Sequence, residues 1–198
     1  MRTRIIVPAL ALAMAVVLTP RLDARTPAAD PAEDINQALL WLPYYGPFDA
    51  LRFHYDKGTV TLEGRAYASG LAADAERAVR RVPGVERVVN AITPLPASPN
   101  DDRLRWRTFD AIYTNDFLSR YAPGGGWGLR DRRVVAGERQ LGLEPIGTYP
   151  IHIIVEHGHV ELVGWVASDA DRAAAGMAAR GVPGAFGVEN RLQVYPTS

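Results

Sequence analysis

The sequence predicts an α+β protein of two tandem α-β-β-α-β domains, each a three-stranded mixed sheet with two helices on one face. Three observations lead there: a self-match at an offset of one hundred residues, the same order of helical and strand periodicity in each copy, and a short linker between them. Gly58, Val60, Leu62 and Gly64 recur as Gly158, Val160, Leu162 and Gly164. Ala75, Ala78, Val82-Pro83-Gly84, Val88 and Asn90 recur as Ala175, Ala178, Val182-Pro183-Gly184, Val188 and Asn190. Over positions 58 to 96, 14 of 39 residues equal their counterparts without a gap. A period of that length is too long for a solenoid repeat and means that one small domain was duplicated.

The elements follow in order. Asp30-Pro31-Ala32-Glu33 supplies an N-cap, a proline at the first helical position and a carboxylate three residues after the cap. Ile35, Ala38, Leu39 and Leu42 then recur at helical spacing, and Pro43 and Gly46-Pro47 end the helix. Leu51, Phe53 and Tyr55 alternate with Arg52 and His54, the pattern of a half-buried strand. Asp56-Lys57-Gly58 is a tight turn whose glycine suits positive φ. Val60, Leu62 and Gly64 form the second strand, Leu71 to Val82 the second helix, and Val85 to Thr93 the third strand. The second copy begins at the equivalent cap, Ser98-Pro99-Asn100-Asp101, with a longer first helix from Leu104 to Tyr121. Ile151 to Val155, Val160 to Val166, Asp169 to Val182 and Phe186 to Tyr195 complete it. A right-handed crossover through the second helix makes two strands parallel, and the hairpin makes the other pair antiparallel.

Ahead of the first domain, Arg2 and Arg4 precede fourteen apolar or small residues, Ile5 to Leu18. Such a run is short for a membrane span of roughly 20 residues and fits the core of a secretory signal. The expected layout is a signal peptide at 1–24, a tether at 25–30, a first domain at 31–96 and a second at 97–198 with an inserted loop at about 122–150. An uncleaved amino-terminal anchor is the alternative; either way the remainder is exported to the periplasm. With 22 basic and 22 acidic residues the charge is balanced, which argues against a nucleic-acid partner. The absence of cysteine excludes disulfide scaffolds, thiolate-bound metals and cysteine nucleophiles.

The repeated pattern of strand-Gly58-x-Val60-x-Leu62-x-Gly64, an alanine-rich helix and Val82-Pro83-Gly84-Val85-x-x-Val88-x-Asn90 resembles the BON-domain family, bacterial osmotically induced and nodulation proteins of the envelope. Its second copy departs at Ala185, where valine is usual, and by the long insertion. The resemblance implies the α-β-β-α-β fold, no catalytic residues, no cofactor, and binding at membranes or to envelope proteins, including under osmotic stress. It also implies lipid contact by the first helix of a second domain.

Shared positions are explained by packing, so binding is sought where the copies differ. Between the first helix and first strand the first copy spends eight residues, Pro43 to Ala50, and the second 29, Ala122 to Pro150. That insertion carries Trp127, Arg130, Arg132 and Arg133, residue types that suit an anionic headgroup surface or an acidic partner. In the helix after Ser98, Arg103, Arg105 and Arg107 surround Trp106, as on an interfacial helix. The rival reading places Trp106 in the core with solvated arginines around it. On the outer sheet face the first copy has Arg52, His54, Thr61, Glu63 and Arg65, while the second has His152, Ile154, Glu161, Val163 and Trp165. The more apolar second face should be covered, by the first domain, the long loop or a partner protein.

His157-Gly158-His159 with His152 is the only metal-like cluster, and His152 and His157 should point apart. No nucleophile elbow, phosphate loop or dinucleotide fingerprint is present. Asp101-Asp102 is read as helix-start charge. The expectation is a non-enzymatic exported module contacting anionic phospholipid. The alternative is a periplasmic protein-interaction or chaperone-like adaptor acting in envelope stress.

Overall fold

A computed structural model describes residues 30–122 and 148–196. The expected signal segment and most of the insertion, with Trp127, Arg130, Arg132 and Arg133, lie outside the described residues. The first unit runs α1 (Pro31–Leu40), β1 (Ala50–Asp56), β2 (Thr59–Ala66), α2 (Leu71–Val79) and β3 (Arg87–Pro94). The second runs α3 (Pro99–Tyr113), a 3₁₀ turn (Ser119–Tyr121), β4 (Ile151–Glu156), β5 (His159–Val166), α4 (Asp169–Arg180) and β6 (Gly187–Val194). Each sheet places its second strand centrally, antiparallel to the first and parallel to the third, as the crossover argument requires. The fold class is therefore the predicted one: two α+β units, each with helices packed on a three-stranded mixed sheet.

Local chemistry explains the ends of the elements. Asp30 accepts the Ala32 N–H at 3.0 Å, and Ser98 accepts the Asp101 N–H at 3.2 Å, each before a proline. The hairpin turns hold Lys57 and Gly58, and His157 and Gly158, at positive φ. One expectation needs correcting: the long helix does not reach Tyr121. It ends at Tyr113, because the Thr114 hydroxyl turns back to the Asp110 carbonyl and the Asn115 side chain accepts the Phe117 N–H at 2.9 Å. Such side-chain bonds offer the backbone an alternative to further helix.

Recurrent Asn90 and Asn190 sit on the edge strands β3 and β6 and do one job twice. Their amides donate to the Ala72 and Arg172 carbonyls at 2.8 and 2.7 Å, pinning strand to helix. Their oxygens accept the N–H groups of Ile92 and Leu192 at 3.2 Å, which occupies donors that an edge would otherwise offer to another chain.

Candidate functional site

The loop from Trp41 to Asp49, between α1 and β1, leaves its own domain. Asp49, almost wholly buried, braces it by accepting the Gly46 N–H at 3.1 Å and the Tyr67 and Ala68 N–H groups at 2.7 and 3.1 Å. So held, the loop inserts Phe48 into the core of the second domain, where the ring is only 2% exposed. Phe48 meets Trp106, Phe109 and Tyr67 edge-on, at centroid distances of 5.5, 5.7 and 5.7 Å. A loop that packs across to a neighbouring domain carries no periodicity to reveal it in the sequence.

The same loop closes the outer edge of β4. The Ile153 N–H donates to the Pro47 carbonyl at 2.6 Å, Tyr113 bonds both backbone groups of Ile151, and Arg105 donates to the Val155 carbonyl at 2.6 Å. Arg105 is 1% exposed, stacks over the Tyr67 ring at 4.5 Å and pairs with Asp102. It therefore leaves the basic surface predicted around Trp106, because a strand edge and a first-domain ring take up its guanidinium. Trp106 itself is half-buried against Phe48 and Phe109.

His152 lies at the joint. Its Nδ1 faces the Gly46 carbonyl at 3.2 Å and its Nε2 the Tyr45 hydroxyl at 3.5 Å, an arrangement that suits a neutral ring donating from Nδ1. Burial depresses His152 from 6.5 to about 4, against the backbone bonds that favour its charge. Burial, with the Asp49 charge, raises Tyr45 to about 12. The folded pKa of His152 lies below the unfolded one, so its contribution is complete above about pH 6.5 and is lost as pH falls towards 4. Within that window stability is expected to fall by about 1.4 kcal/mol per pH unit. Urea midpoints at pH 7, 6 and 5 check this, and identical slopes for the wild type and His152→Gln would refute it. Two buried carboxylates titrate lower still. Burial opposes ionisation of Asp101, but N–H bonds from Gly158 and His157, Ser98 and the Arg105 charge outweigh it. Asp171 behaves alike, through Ser168, Tyr121 and Arg120. Both are held below their ordinary 3.8 and titrate under the window.

Beyond the joint, the outer sheet faces line a groove of about 680 Å³. Arg52, Glu63 and Arg65 form one wall, and His152, Ile154, Val163 and Trp165 belong to the other. Ile154 is buried and Val163 half-buried, while Trp165 remains 41% exposed and stacks on Tyr195 at 5.3 Å. Most of the charges are paired: Arg52 with Glu63 at 3.0 Å, Arg191 with Glu161 at 3.1 Å, and Arg65 with Glu156 of the other domain at 3.4 Å. Such exposed pairs contribute little to stability.

At the β4–β5 hairpin of the second domain, Asp101 reaches from α3 to accept the His157 and Gly158 N–H groups at 3.0 and 2.8 Å. Its role is thus to pin the hairpin as well as to charge the helix start. Arg103 and Arg107 are exposed one helical turn apart, and Arg107 donates to the Pro183 carbonyl at 3.3 Å. Neither has a carboxylate partner among the described residues. Among the described residues there is no cluster of three side chains able to hold a metal, and no helix long and apolar enough to cross a membrane.

The sequence model of the BON domain family matches residues 29–95 and 138–196. Domains of this family are in general non-catalytic binding modules associated with the envelope. Two solved structures of CdsD, a structural protein of the type III secretion system of Chlamydia trachomatis, are similar at 15% identity. One, its C-terminal domain, pairs 85% of this chain with 98% of that one at a TM-score of 0.28; the other pairs 84% with 92% at 0.26. Comparison with curated proteins gives no match. Two family matches, one over the whole first unit and one over the β-β-α-β part of the second, lead to a plain conclusion: the chain belongs to the BON domain family, with two such domains in tandem.

Proposed function

We propose that the protein is an exported, non-enzymatic binding module of the periplasm that contacts anionic phospholipid through its second domain. The observation that carries this reading is the exposed pair Arg103 and Arg107 on α3, free of carboxylate partners among the described residues. Guanidinium groups in that state suit lipid phosphates, which accept their planar fork of donors. Trp127, Arg130, Arg132 and Arg133 of the insertion belong to the same proposal by their composition.

Flotation with phosphatidylglycerol-rich vesicles tests it. The protein is expected to float with these, to stay behind with phosphatidylcholine vesicles, and to be released by salt. Replacing Arg103 and Arg107 together by glutamine should weaken binding about thirtyfold, since each basic residue near such a surface contributes about 1 kcal/mol. Equal binding to both vesicle types would remove the reading. A second reading, a protein-interaction adaptor, is favoured by the groove around Trp165, where an aromatic pair lies beside apolar Ile154 and Val163. Trp165→Glu separates the two, because the lipid reading leaves flotation of that variant unchanged.

A further inference from the structure

We infer that Phe186, at the crest of the turn between α4 and β6, is the wedge by which the second domain enters the lipid surface. This rests on the lipid reading above and names the residue that sequence analysis did not find. Trp106 was the expected apolar anchor, but its ring is spent on Phe48 in the joint. Phe186 is 80% exposed, on a turn fixed from two sides. Its own N–H donates to the Gly158 carbonyl at 2.8 Å, and Arg107 holds the Pro183 carbonyl three residues earlier. The ring lies over Gly158 and meets His159 edge-on at 6.3 Å, leaving its outer side in solvent.

The duplicate shows that the fold does not need an aromatic there. Glu86 occupies the same place in the first domain: its N–H donates to the Gly58 carbonyl at 2.7 Å, and its side-chain stem covers Gly58. Covering the turn glycine is the structural demand, and a glutamate meets it. A phenylalanine adds a large, exposed apolar group on this turn, which is costly in water and favourable at the boundary of headgroups and acyl chains. Arg107 stands beside that turn, with Arg103 one helical turn away on α3, and their guanidinium groups would reach lipid phosphates as the ring enters. A ring that is 80% exposed on a turn held by a cationic residue fits a deformable lipid surface better than a rigid protein pocket.

The chain contains no cysteine, so one can be introduced and labelled alone. Phe186→Cys and Glu86→Cys in the full chain would each carry an NBD fluorophore and be mixed with phosphatidylglycerol-rich vesicles. The label at 186 is expected to shift to the blue and brighten several-fold, while that at 86 keeps its spectrum in water. Phe186→Glu, with circular dichroism to confirm folding, should lose about tenfold in vesicle affinity, and Phe186→Leu should recover most of it. If the wild type floats but the two labels respond alike, or Phe186→Glu binds as well as the wild type, the wedge is wrong and the lipid reading stands. If the wild type does not float, both fall.

Discussion

Phe48→Ala is expected to lower stability by about 3–5 kcal/mol and to split one unfolding transition into two. The residue belongs by chain to the first domain and by packing to the core of the second, with Leu104, Phe109, Tyr113 and Ile153. Truncation leaves a cavity bounded by Trp106, Phe109 and Tyr67, rings held by further aromatic contacts and unable to collapse inward freely. It also removes the anchor that presents the Pro47 carbonyl to Ile153 and Gly46 to His152. Differential scanning calorimetry reads both effects, the loss of stability and the separation of domains. A single transition displaced by less than about 1 kcal/mol would show that Phe48 does not couple them.

Gly164→Ala is expected to cost about 4 kcal/mol or more, at the upper end of what one methyl group can do. Gly164 lies at φ 120°, and an added Cβ would fall well inside contact distance of the Pro150 carbonyl oxygen. That carbonyl accepts the Trp165 N–H at 2.9 Å, so it cannot swing away without breaking the start of the hairpin. Gly64 repeats the geometry at φ 129° against the Ala50 carbonyl, which is why both copies carry glycine here. Gly184 provides the control: φ is 99°, but nothing lies within 4 Å of an added Cβ. Gly184→Ala should therefore cost only the dihedral strain, about 1–2 kcal/mol. Urea denaturation of both variants separates crowding from dihedral strain, and equal losses would contradict the argument.

Much of the fold was legible because its determinants are local. Asp30-Pro31 and Ser98-Pro99 start helices through their own side chains, and Asp56-Lys57-Gly58 and Glu156-His157-Gly158 turn the hairpins through their own dihedrals. Duplication reinforced each signal, since two copies of one alternation cannot both be accidents. The misplaced end of the long helix was also local, and the Asn115 turn signal lay in view. The candidate site was far less legible. Arg103, Arg105 and Arg107 look equivalent in the chain, yet the middle one is buried on a strand edge and the other two face water. Phe186 had a signal that was readable, a phenylalanine where the first copy has Glu86, but it lay inside a stretch taken for strand.

By itself the sequence determined the two α-β-β-α-β units, their order, their sheet topology and the glycines at their turns. These follow from periods of two and of about 3.6 residues and from dihedral limits that act within a few residues. Only the tertiary structure decided which aromatic residues face solvent. Phe48 and Trp106 meet across domains, with Arg105 sealing the β4 edge beside them, and Phe186 is left outside. A side chain's exposure depends on what a distant segment lays against it, and periodicity within one element carries no record of that partner.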